Sequence, residues 1–99
     1  MMALALRKEQ KKENEKIIEL EKLIQRLGVD LEYRKLTFDG GLCFIQKRPH
    51  LILNRELTLQ EKARQIVKAL QKFKLEEIFI PEGLRTVVQD ISAELKNIE

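Results

Sequence analysis

The chain has 99 residues, 43% of them apolar and 35% charged, with a formal net charge of +3. That supports one domain with a modest core, and a single Cys excludes an internal disulfide framework. No run approaches the roughly 18 apolar residues that cross a bilayer, and the opening MMALALRKEQKK sets its apolar residues before its basic ones, the reverse of a secretory signal. A cytoplasmic protein is expected.

Residues 3–27 read as one long helix without Gly or Pro. Ile17, Leu20, Ile24 and Leu27 fall at helical spacing, backed by Ile18 and Leu23, and make a core-facing stripe. Before them, RKEQKKENEK has no apolar residue and mixes Lys with Glu at exposed-helix spacing. Residues 1–16 are therefore expected to be an exposed charged helical extension, and 17–99 a single α+β domain. Gly28 is placed to end the helix.

Val29, Leu31 and Tyr33 alternate with Asp30, Glu32 and Arg34, the pattern of a half-buried strand. Asp39-Gly40-Gly41 is a turn signal. LCFIQKRPHLIL reads as a hairpin, Leu42–Gln46 and His50–Asn54, turned around Arg48-Pro49 because Pro is unwelcome in a central strand. Leu42, Phe44, Leu51 and Leu53 are expected to share a face, though a loop one residue longer would flip that pairing.

Thr58-Leu59-Gln60-Glu61 is a capping box that opens the next helix. Leu59, Ala63, Ile66, Leu70 and Phe73 form its core stripe, with Val67 beside it, and Arg64, Lys68 and Lys72 line the opposite face. LEEIFI, Leu75–Ile80, reads as a short strand or extended bridge. Pro81 suits a first helical turn, and Leu84, Val87, Val88, Ile91, Leu95 and Ile98 make a last amphipathic helix. The expected fold is α+β: a long N-terminal helix, a small three-stranded, mainly antiparallel sheet with a hairpin, an amphipathic helix, a short strand and a C-terminal helix.

GGLCFIQKRPHLILN, the helix Leu59–Phe73 and LEEIFIPEGLR resemble a short bacterial family without an assigned activity. Its pattern is a GG-x-C turn, a hairpin, a helix and an LE-x-I/V-Y/F-x-P-x-x-R segment, and the likeness covers Gly40–Arg85. The order of elements also resembles small zincin-like domains, in which a strand ending in I-L-N leads into the zinc helix. That resemblance implies a minimal zincin-like fold and no more. Zinc hydrolysis needs two His one helical turn apart and a Glu base, and the matching turn here is Gln65, Ile66, Val67, Lys68 and Ala69.

Other chemistry is sparse. Cys43 and His50 are the only residues of their types and could meet across the hairpin, with Asp39 the nearest acid in sequence. Zinc usually takes three protein ligands, and a nucleophile–base pair needs an orienting group and an oxyanion site. A half-buried strand Cys and a turn His are the simpler readings. Asp39-Gly40-Gly41 could cradle an anion but is more simply a tight turn. No cofactor, metal site or catalytic constellation is expected.

Charge is unevenly spread. Between Arg34 and Lys74 stand ten cations against three acids, whereas from Leu75 onward six acids face two cations. Such asymmetry can steer partners or reflect internal complementarity between a basic and an acidic layer, and the second is the leading reading. A basic surface of Lys47, Arg48, Arg55, Arg64, Lys68 and Lys72 makes weak nucleic-acid binding the alternative. Against it, Tyr33, Phe38, Phe44, Phe73 and Phe79 are mostly expected at core positions, which leaves no stacking platform. Met1, Met2, Leu4 and Leu6 lie beyond ten polar residues, roughly 15 Å of helix from Ile17. The leading expectation is a non-enzymatic module that forms a homodimer, or binds a protein partner, through Leu4 and Leu6. An enzyme whose site forms only on assembly is the third reading.

Overall fold

Ile17, Leu20, Leu23 and Ile24 recur at helical spacing on one face, and all four are buried. The computed structural model describes the backbone of residues 2–73 and 78–98 and the side chains of residues 14–73 and 78–96. The buried face belongs to α1 (Met2–Arg26), which is followed by β1 (Asp30–Arg34), β2 (Gly40–Ile45), β3 (Arg48–Asn54), α2 (Leu59–Leu70) and α3 (Glu82–Ile98). The architecture is α+β. Gly28, at a φ of 88°, closes α1 in the left-handed conformation that Gly adopts without strain, and its N–H bonds the carbonyl of Gln25. Ile18 departs from the expected stripe and is 48% exposed.

The sheet has the order β1-β3-β2. β2 and β3 form the hairpin, antiparallel, while β1 pairs with β3 in parallel, so the sheet is mixed rather than mainly antiparallel. Composition explains the order. A central strand is shielded on both edges and tolerates a continuous apolar run, and β3 supplies Leu51-Ile52-Leu53. β1 carries Asp30, Glu32 and Arg34 and suits an edge.

Placing β3 between β1 and β2 obliges residues 35–39 to cross from one edge to the other. Asn54 pins that crossing. Its Nδ2 donates to the carbonyls of Leu36 and Phe38, each at 3.1 Å, its N–H donates to the carbonyl of Asp39, and its Oδ1 accepts from the Glu56 N–H.

The hairpin turns one step earlier than expected. Gln46 and Lys47 both have positive φ, 52° and 67°, the geometry of a two-residue turn whose twist matches the strands. Ile45 then faces Arg48, and Pro49 lies inside β3 opposite Phe44. With Asn54 bonded to Asp39 and a ladder of alternating phase, Pro49 falls at a position that makes no hydrogen bond to β2. Its partner on the other side is also missing, because β1 begins opposite His50. The lost N–H therefore costs the ladder nothing. Leu42 faces Leu51 and Gly40 faces Leu53, so the expected shared face of Leu42, Phe44, Leu51 and Leu53 holds.

Helices cover that face. Thr58 caps α2 in a reciprocal capping box with Glu61. Ala63, Ile66, Val67, Ala69 and Leu70 bury the inner side of α2, and Leu84 and Val88 of α3 join the same core. The strand expected over Leu75–Ile80 lies partly on residues 74–77, outside the described residues. Its remainder, Ile78–Ile80, belongs to no strand. There the Ile80 carbonyl accepts from Arg85 Nε at 3.2 Å, and the Pro81 carbonyl starts the hydrogen bonding of α3.

Candidate functional site

The helix α1 begins at Met2, and the first buried position among its described side chains, residues 14–26, is Ile17. At that point the surface opens into a cleft of about 290 Å³ between α1, α2 and α3. Ile17, Leu20, Leu59, Ala63, Val87 and Ile91 supply its apolar lining. Lys16, Gln60, Arg64 and Glu94 make a polar rim, across which Arg64 Nε lies 3.6 Å from Glu94 Oε2. An apolar floor beneath a mixed-charge rim suits an amphipathic segment better than a charged small molecule. Leu4 and Leu6 lie on the helix before this cleft, and their side chains fall outside the described residues.

Cys43 and His50 do meet across the hairpin, as directly opposed residues on the outer, helix-free face of the sheet. The third residue of that row is Asp30, which faces His50 from β1. Asp39, the acid nearest in sequence, lies at the far end of β2. The signal for Asp30 was the parallel pairing of β1 with β3, which no local pattern announces. Arg48 holds Asp30 with a forked pair, Nε to Oδ2 at 2.9 Å and Nη2 to Oδ1 at 3.2 Å. His50 Nε2 is 3.8 Å from Asp30 Oδ2, beyond a hydrogen bond. Among the described residues no group of three or more His, Cys, Asp or Glu side chains is placed to hold a metal ion.

The turn of α2 that matches a zinc motif is sealed by packing. Ile66, Val67 and Ala69 are all buried in the core, and only Gln65 and Lys68 reach solvent there.

The basic residues are all exposed but do not converge. Lys47 and Arg48 lie at the hairpin turn and Arg55 just past the opposite end of β3, about 20 Å away for a strand of that length. Arg64, Lys68 and Lys72 follow the outer side of α2. Arg48 and Arg64 already face acids. The aromatics also depart from expectation: Phe38, Phe44 and Phe79 are exposed, and only Tyr33 and Phe73 are partly buried against the core. Phe44 stands on the core face of β2 near its end, opposite Pro49, and is largely exposed.

Among the described residues, Tyr33 is the most perturbed titratable group. Its hydroxyl donates to Glu21 Oε2 at 2.9 Å, and Lys62 Nζ lies 5.0 Å from the ring centroid. Burial first, then the hydrogen bond and the negative charge of Glu21, push the phenol well above its usual range. The cluster ties α1, β1 and α2 together, which is a structural duty.

No helix among the described residues is long and apolar enough to cross a membrane. No protein-family model, curated protein or solved structure matches the chain.

Proposed function

We propose that the protein is a cytoplasmic, non-enzymatic interaction module that forms a homodimer through the N-terminal part of α1, on a degenerate zincin-like fold shared with a short bacterial family. The observation that carries this reading is the mismatch between α1 and its domain. A 25-residue helix is roughly 37 Å long at 1.5 Å per residue. Among the described side chains of α1 the buried positions begin at Ile17, and the molecule is drawn out to 51 Å along one axis against 32 and 27 Å along the others.

Two copies of such a helix crossing antiparallel near residues 10–11 would bring Leu4 of one level with Ile17 of the other. Exposed Ile18 and the cleft at Leu20 and Leu59 lie at that level. The same register sets Lys8 and Glu9 level with Glu13 and Lys12 of the second copy, an arrangement of opposite charges along the polar spacer.

Leu4→Asp with Leu6→Asp, or deletion of residues 1–14, tests the proposal. Both changes spare the core positions Ile17, Leu20, Leu23 and Ile24, so near-native melting is expected. Light scattering should report fewer copies per particle than for the unmodified chain at the same concentration. An unchanged number of copies would reject association through α1.

A further inference from the structure

The two edges of the sheet are guarded differently. β1 exposes an edge with Asp30, Glu32 and Arg34, fixed by the Arg34–Glu32 and Arg48–Asp30 ion pairs. Charges of this kind discourage a second strand from adding to a sheet. β2 reads Gly-Gly-Leu-Cys-Phe-Ile, with no charge, no Pro and no bulge. It ends in exposed Phe44 (67%) and Ile45 (49%), and no strand among the described residues pairs with its outer edge.

We infer that this edge is a self-association surface, where β2 of a second copy adds antiparallel and the two sheets become one. Which backbone groups are free follows from the ladder. Asn54 bonds Asp39, so Gly41, Cys43 and Ile45 turn their N–H and C=O groups toward β3, and Leu42 and Phe44 turn theirs outward, in phase with Gly40. In an antiparallel pair related by a two-fold axis, the register with Leu42 on the axis joins all the outward positions. Leu42 faces Leu42, and Gly40 faces Phe44 at both ends.

Side chains favour the same register. Gly40 has a φ of 113°, and a Cβ there would overlap the carbonyl oxygen of Ile52, so this position must lack a side chain. Phe44 stands on the core face of the sheet with most of its ring in water. Cross-strand aromatic–glycine pairing covers the exposed backbone of the glycine and gives the ring a surface. The edge therefore carries, at opposite ends, the ring and the bare glycine backbone that a second copy would pair. With no charge in the strand, self-pairing sets no like charges together.

This surface is separate from α1, and the experiment keeps the two apart. In the full chain, Leu42→Cys combined with Cys43→Ser should form an interchain disulfide under mild oxidation. Directly opposed residues in this register have Cα atoms about 5.5 Å apart, within disulfide range. The rate should exceed by at least tenfold that of the exposed-turn control Gln46→Cys with Cys43→Ser. Adding Phe44→Lys should slow the Leu42→Cys cross-link tenfold or more. In the otherwise unmodified chain, Phe44→Lys should lower the number of copies per particle without lowering Tm. Association through α1 does not bring two copies of residue 42 together, so its failure would leave this result standing. Equal cross-linking at positions 42 and 46, or a mass insensitive to Phe44→Lys, would overturn the inference, and a monomeric unmodified chain would do so too.

Discussion

The Tyr33 hydroxyl lies 2.9 Å from Glu21 Oε2, a hydrogen bond that fastens the edge strand β1 to helix α1 across twelve residues of chain. Because that site disfavours the phenolate, it makes stability depend on pH in the alkaline range. The folded pKa is raised above the unfolded value of 10.0, so the contribution is complete below pH 10 and is lost as pH climbs toward the folded value. The melting temperature of the unmodified chain should therefore fall more steeply above pH 10 than that of Tyr33→Phe. At pH 7 the variant should be less stable by about 1 kcal/mol for the lost hydrogen bond. Parallel melting curves from pH 9 to 11 would show that the phenol titrates as if free.

Ile66 and Lys68 are two positions apart on α2 and differ completely in burial. Ile66 is 0% exposed, so Ile66→Asp places an unpaired carboxylate in the core and should cost about 4 kcal/mol or more, enough to unfold a domain of ordinary stability. Lys68→Ala should change stability by about 0.5 kcal/mol or less. Urea midpoints for the two variants measure the difference, and comparable losses would mean that the helix packs through another face.

Gly40 and Gly41 are neighbours in β2 with opposite tolerances. Gly40→Ala forces a side chain into the left-handed region and against the backbone of Ile52 and Leu53, and should cost about 2 kcal/mol or more. A Cβ at Gly41 meets nothing within 4 Å, and Gly41→Ala should fall within about 1 kcal/mol of the unmodified chain, on either side. Denaturant titration in the Phe44→Lys background removes any effect on strand pairing between copies. Equal costs for the two alanines would mean that Gly40 does not need its conformation.

The helices and their inner faces were legible because an amphipathic helix writes its partners at fixed spacing. Ile17, Leu20 and Ile24, the Thr58–Glu61 box and the Ile66–Leu70 stripe need only local periodicity to be found. The three strands were legible for the same reason. Their order was not. Strand pairing joins residues distant in sequence, and only the crossing of residues 35–39, held by Asn54, set β1 parallel to β3. That one non-local choice decided that Asp30 rather than Asp39 stands beside His50 and that uncharged β2 became an edge. Exposure of Phe44 follows from the same cause. Alternation assigns it to the core face of β2, but whether anything covers that end of the face depends on how distant elements pack, and the ring is left 67% exposed.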